Sequence, residues 1–180
     1  MRQLWSAYAR MMRNHPVKTQ LITTGTVMLS GDLIAQTVLE RRSTIDVPRA
    51  ARFFVMGIGF VGPVLRVWYI ALERIVGSTG GGAMVVKKVL LDQGVFTPVF
   101  IPSFLTTLGA LQGRSWEGIK DMVRMDYLPI LKANYMLWPA AQLINFRFVP
   151  LAYRVPFASC VALVWNTYLA WKANRTLRKT

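Results

Sequence analysis

The chain has 180 residues, 53% of them hydrophobic and 17% charged, and Lys plus Arg outnumber Asp plus Glu by 22 to 8, for a net charge of +14. A soluble domain carries about 25% charged residues, so an ordinary cytosolic enzyme fits poorly, and the apolar content excludes intrinsic disorder. A nucleic-acid binder would explain the charge but not the oil, whereas basic loops flanking apolar spans explain both.

The first acidic residue is Asp32, and before it Arg2, Arg10, Arg13 and Lys18 stand alone as charges. Met1, Trp5, Tyr8 and Met12 fall on one face of a helix, so residues 1–18 read as a basic amphipathic helix. That composition suits a mitochondrial targeting segment, and equally an interfacial anchor held by Trp5 and Tyr8; the two roles are compatible. A secretory signal is excluded, because the apolar run starts too late and contains Asp32.

A helical membrane span needs roughly 20 mostly apolar residues. Segments 19–39, 53–72 and 89–111 meet this, and the nearly continuous apolar stretch 133–171 holds at least one more span, interrupted by Pro139, Arg147, Pro150, Arg154 and Pro156. With four spans, both termini and the 73–88 loop share one side and carry twice the positive charge of the other; five spans leave the sides nearly equal. The positive-inside bias therefore favours four, with 133–148 as the ambiguous piece. Ser43, Thr44, Asp46 and Pro48 close the first connection, and Gly77 to Gly82 form a glycine-rich loop. Ser115 to Tyr127 read as an amphipathic surface helix capped by Ser115, with Trp116, Ile119 and Val123 as its apolar side. The expected fold class is all-α: a polytopic membrane bundle of about four spans plus interfacial amphipathic helices, in one integral membrane domain over 1–180. No fixed-period repeat stands out.

Several motifs suggest chemistry without supporting it. Gly57-Ile58-Gly59-Phe60-Val61-Gly62 matches a dinucleotide fingerprint, but it lies in an apolar span with Pro63 next and no βαβ context. Small residues at a helix–helix contact explain it better. His15 is the only histidine and Cys160 the only cysteine, so neither a triad nor a cysteine-rich metal site is expected. Asn174-Arg175-Thr176 has the spacing of a glycosylation sequon next to a basic end. No catalytic residue, cofactor or metal is expected, and no direct contact with nucleic acid, because the basic residues are spread among short loops.

The informative residues are polar ones at membrane depth. Asp32 and Gln36 share a face, with Gly31 and Ala35 giving a small-xxx-small contact beside them. An aspartate near the bilayer centre costs about 2.5–3.5 kcal/mol on insertion scales, so it faces a partner or a wet cavity. Both readings stand: a buried pair of Asp32 with Arg66 or Arg154, or a hydrophilic path that also includes Asp92 and Gln93. Tyr135, Trp138, Gln142, Asn145 and Val149 form a polar–aromatic stripe opposite Leu137, Ala141, Ile144 and Phe148. It marks either a path or an interfacial aromatic belt, and Pro139 kinks or starts a helix there. The expected polar path is thus Asp32, Gln36, Asp92, Gln93, Trp138, Gln142 and Asn145. Gly31, Ala35, Pro63, Pro139, Arg154 and Asn166 are assigned to packing.

These residues also carry a family pattern. Leu4-Trp5-x-x-Tyr8, Pro16-x-Lys18-Thr19-Gln20 and Gly31-Asp32-x-x-Ala35-Gln36 open it, followed by Gly59-Phe60-Val61-Gly62-Pro63, Trp68-Tyr69 and Asp92-Gln93-x-x-Phe96-x-Pro98. Asp126-Tyr127, Trp138-Pro139-x-x-Gln142-x-x-Asn145-Phe146, Val149-Pro150-x-x-Tyr153-Arg154 and Trp165-Asn166-x-Tyr168-Leu169-x-Trp171 close it. Over almost the whole chain this resembles the Mpv-seventeen family, also called the twenty-two-kilodalton peroxisomal membrane protein family. The run from Trp138 to Lys172 is more similar to its mitochondrial than to its peroxisomal members. Arg66 and Arg147 depart from the pattern. The resemblance implies a four-helix protein of the mitochondrial inner membrane, channel-like conduction of small solutes, and a link to mitochondrial DNA and nucleotide maintenance. It implies no catalytic residues. Expected partners are the lipid bilayer and small solutes or ions, with a homo-oligomer or larger membrane complex as company. A non-transporting scaffold, or a peroxisomal location, is the alternative.

Overall fold

Proline placement and helix caps set the boundaries. In the computed structural model, which describes residues 2–77, 82–148 and 154–175, six helices and no strand occur among the described residues. They are α1 (Arg2–Asn14), α2 (16–39), α3 (Val47–Val76), α4 (Gly82–Leu111), α5 (Trp116–Phe148) and α6 (Arg154–Arg175). Residues 78–81, 149–153 and from 176 on, with the Met1 and Trp5 side chains, lie outside the description.

His15 separates α1 from α2, whose first residue is Pro16, a position where the missing N–H costs nothing. The Asp46 carboxylate accepts the Arg49 N–H at 3.0 Å and caps α3, with Pro48 in the first turn. Gly77, at φ 100°, ends α3 in a conformation that only glycine adopts without strain. Ser115 Oγ accepts the Gly118 N–H at 3.2 Å, the cap expected for α5.

Helices α3 and α4 share one internal plan. Proline in a helix lacks a donor and clashes with the carbonyl four residues back, which is Gly59 for Pro63 and Gly94 for Pro98. In each case a single π turn precedes the proline, over Gly57–Val61 and Asp92–Phe96. There the Gly62 N–H reaches the Gly57 carbonyl and the Thr97 N–H reaches the Asp92 carbonyl. The wider turn absorbs the misfit without ending the helix. Both helices have 30 residues, with the π turn and proline at matching places.

Helix α2 runs through the bundle between α3 and α6, while α4 packs on α5 and α5 on α6. Glycine allows the closest approaches. A Cβ on Gly57 would lie 2.5 Å from the Gly25 Cα, and one on Gly31 would lie 2.7 Å from the Asn166 Cβ. The dinucleotide-like run is therefore partly a packing surface: Gly57 and Gly62 abut α2, while Gly59 faces open space. The core gathers Met28, Ala35, Phe53, Met56, Phe104, Leu105, Leu108, Met122, Ile130 and Leu169.

Among the described residues, two helices are long and apolar enough to cross a membrane, Val47–Val76 and Gly82–Leu111, and they contain the expected segments 53–72 and 89–111. At 30 residues each is about 45 Å long, more than the ~30 Å hydrocarbon core. Only 28% and 33% of their most apolar windows are buried within the protein, with Val55, Val67, Ile75, Val86, Leu90 and Val99 exposed. Apolar faces left uncovered by protein suit lipid.

The last third differs from expectation. Instead of a separate surface helix over 115–127, α5 continues from Trp116 to Phe148 through Pro129 and Pro139, so Pro139 neither starts nor ends a helix. The first turns of α5 pack inward: Ile119, Met122 and Asp126 are buried, whereas Trp116 is 64% exposed. Lys172 of α6 pairs with Asp126 at 3.0 Å, which lets a carboxylate enter this contact.

Candidate functional site

Two polar constellations stand inside the bundle, and they are built differently. The first lies where α2 meets the 40–46 connection and the start of α3. Asp32 is fully buried, with Arg49 Nε donating to Oδ1 at 2.6 Å and Gln36 Nε2 to Oδ2 at 2.7 Å. Gln36 Oε1 accepts the Asp46 N–H at 2.7 Å, tying α2 to the cap of α3. Arg49 also meets Glu40 at 2.7 Å, and Arg42 meets Glu40 at 3.0 Å and Asp46 at 3.4 Å. Arg49 Nη2 further donates to the Ala170 carbonyl of α6 at 3.4 Å. Burial pushes the Glu40 carboxyl up, and the Arg49 and Arg42 guanidiniums more than offset this, holding it below the usual carboxylate range. Three carboxylates and two guanidiniums thus pair at a helix junction, with one negative charge in excess.

The second is a partly open cavity of about 280 Å³ lined by α2, α3, α4, α5 and α6. Its polar side presents Asp92 and Gln93 from α4, Asn134 and Gln142 from α5, and Asn166 from α6. Its apolar side includes Phe96, Phe100, Phe104, Trp138 and Trp165. Trp68 Nε1 donates to Asp92 Oδ1 at 2.8 Å, and Gln93 Nε2 to Asp92 Oδ2 at 2.8 Å. Asn134 Nδ2 donates to Gln93 Oε1 at 2.7 Å, and the Tyr135 hydroxyl to the Gln93 carbonyl at 2.8 Å. An aromatic stack follows: Trp68 on Phe96 at 4.8 Å between ring centroids, Phe96 on Phe100 at 5.1 Å, and Phe100 tilted against Phe104 at 6.3 Å. The π turn of α4 begins at Asp92 and carries Asp92, Gln93 and Phe96.

Of the expected polar-path residues, Asp92, Gln93, Trp138 and Gln142 share this cavity. Asp32 and Gln36 do not line it; they belong to the ionic cluster, because Arg49 reaches back to Asp32. Arg66, one of the two partners expected for Asp32, instead donates to Gln20 at 3.4 Å. The side chains of Asn145, Arg147 and Arg154 lie outside the described residues. Of the packing residues, Gly31 and Ala35 sit in the buried contact of α2, Pro63 follows the π turn of α3, and Pro139 is half-buried within α5. Asn166 both abuts Gly31 and lines the cavity, with Nδ2 donating to the Ala162 carbonyl at 2.8 Å.

Two residues escaped the sequence reading. Asn134 lies four residues before Trp138 and eight before Gln142, on the same helical face, so the spacing of the stripe could have found it. Arg49 had no such signal, because its tie to Asp32 spans 17 residues and a connection.

A model of the Mpv17 / PMP22 family matches residues 109–170. The chain is 46% identical over 175 residues to the mitochondrial inner membrane protein Mpv17 of Homo sapiens, covering 96% of this chain and 98% of that protein. It is 42% identical to the Danio rerio protein of the same name, with the same coverage, and 39% identical to Protein SYM1 of Gibberella zeae, covering 91% and 94%. No solved structure matches.

Proposed function

The chain belongs to the Mpv17 / PMP22 family and is a protein of the mitochondrial inner membrane, and from that premise we propose that it lets small solutes permeate that membrane through the cavity at Asp92. One observation carries the reading: a space of about 280 Å³ inside an apolar bundle is lined by a carboxylate and four side-chain amides. Such groups are costly at membrane depth and occur where a bundle holds water or a polar ligand. Asp92, Gln93, Asn134, Gln142 and Asn166 would replace hydration around a passing solute, and Trp138 with Trp165 would restrict its size. Asn145 extends the same stripe on the sequence pattern. Four crossings belong to this reading, with α2 and one crossing from the α5–α6 region added to α3 and α4. In this role the protein serves mitochondrial homeostasis and the upkeep of mitochondrial DNA and nucleotides, as the family resemblance implies.

The scaffold reading has support at the other constellation. Asp32, Gln36, Glu40, Arg42 and Arg49 satisfy one another at a helix junction, so we assign them to locking α2 against α3. The permeation reading is tested with purified protein in liposomes, following radiotracer flux of nucleotides, small organic anions and cations, and inorganic ions. Flux above empty vesicles is expected for at least one class; none above background for any class would leave only the scaffold.

A further inference from the structure

The eight carboxylates of this strongly basic chain are not treated alike. Seven have a Lys or Arg partner: Asp32 and Glu40 with Arg49, Asp46 with Arg42, Glu73 with Lys88, Glu117 with Lys120, Asp121 with Arg124, and Asp126 with Lys172. Asp92 is the exception, having no ion pair among the described residues. It is also the one charged residue among those described that line the cavity.

Its surroundings give each carboxylate oxygen a donor but no basic side chain to balance a charge. Trp68 and Gln93 each donate to a different oxygen, and Asn134 fixes the Gln93 amide by donating to its oxygen. The carboxylate is thereby oriented, and each oxygen keeps a lone pair for another donor. A carboxylate held away from bulk water needs a cation or a proton to balance it. Phe96, Phe100 and Phe104 line the same cavity as an apolar wall, with Phe96 stacked against both Trp68 and Phe100, so a ligand body can lie along it while its charge meets Asp92.

We propose that the Asp92 end of the cavity is a binding site for a monovalent organic ammonium with an apolar or aromatic body, the ammonium on the carboxylate and the body along the Phe96–Phe100–Phe104 wall. An inorganic cation fits less well. Calcium and magnesium take six or more oxygen ligands, usually with several carboxylates, and no group of three His, Cys, Asp or Glu occurs among the described residues. A free anion would meet a carboxylate with no basic side chain lining the described cavity. The assignment rests on the cavity being open to solutes, as in the reading above, and it names the class that the cavity selects.

The full chain in lipid nanodiscs is titrated with phenethylammonium, neutral 2-phenylethanol and phenylacetate, following tryptophan fluorescence, since Trp138 and Trp165 line the cavity. Saturable binding of the cation is expected, at least about tenfold tighter than the alcohol, with phenylacetate weakest. Asp92→Asn should weaken the cation at least about tenfold and leave the alcohol unchanged, which shows that the cavity has survived; Asp92→Glu should retain cation preference. Equal affinity for cation and alcohol, or an Asp92→Asn variant that binds the cation as wild type does, overturns the proposal. Displacement of the cation by millimolar calcium would assign the site to inorganic ions and overturn it too. Binding without liposome flux defeats permeation alone, and flux without binding defeats this assignment alone.

Discussion

Arg49 is the residue on which the α2–α3 junction turns, because it joins the buried Asp32 and the half-buried Glu40 and touches the backbone of α6. Removing one partner of a buried pair leaves the other charge uncompensated, at a cost of about 3–5 kcal/mol. Asp32→Asn is expected at the lower end, about 3 kcal/mol, because Glu40 still holds Arg49. Arg49→Gln strips two carboxylates at once and should cost more. Detergent unfolding of both single variants and the double variant checks this, and non-additive losses are expected of residues in contact. Glu40 adds a pH signature. Its carboxyl is depressed in the folded protein, so its stabilisation is fully present above the ordinary value of 4.5 and is lost as pH falls through the lower folded value. Glu40→Gln should therefore reduce melting temperature at neutral pH and flatten the decline below pH 4.5, while a variant with the wild-type acid limb would contradict the pairing.

At the scale of the element, the glycines of the 57–62 run separate packing from coincidence. A Cβ on Gly57 collides with the Gly25 backbone, whereas one on Gly59 meets nothing. Gly57→Ala should cost about 1–3 kcal/mol by forcing α2 and α3 apart, while Gly59→Ala should be close to neutral. Thermal melting of the two variants decides it; equal effects would mean that the glycines act through helix propensity. Helices α3 and α4 were legible in the sequence because their apolar runs are long and charge-poor. The unbroken α5 was not, because Pro129 and Pro139 carry the signal of a helix end and tertiary packing overrides it. The candidate site divides in the same way. Asp92 and Gln93 were found as polar residues in an apolar run, and Trp138 and Gln142 as a stripe at helical spacing. Their meeting across helices depends on packing that no local pattern encodes, as does the Asp32–Arg49 pair that holds Asp32 in the ionic cluster and not on the cavity wall.

For the molecule as a whole, the basic excess and the oil have separate roles. The oil lies in helices whose outer faces stay uncovered by protein, and most acids are matched by nearby Lys or Arg. What remains distinctive is the cavity at Asp92, a carboxylate without an ion pair among the described residues, and the permeation reading stands on that space being the route. Ala162 of α6 lines the cavity and is half-buried, so Ala162→Trp fills the space from one wall while leaving Asp92, Gln93 and the ionic cluster unsubstituted. The decisive measurement is flux of the permeant solute through liposomes carrying equal amounts of folded wild-type and Ala162→Trp protein, with melting temperatures matched to within a few degrees. A loss of at least about tenfold in the variant is the expected result, since a filled cavity leaves no room to replace the solute's hydration. Undiminished flux through a folded Ala162→Trp protein would place the route elsewhere and contradict the assignment.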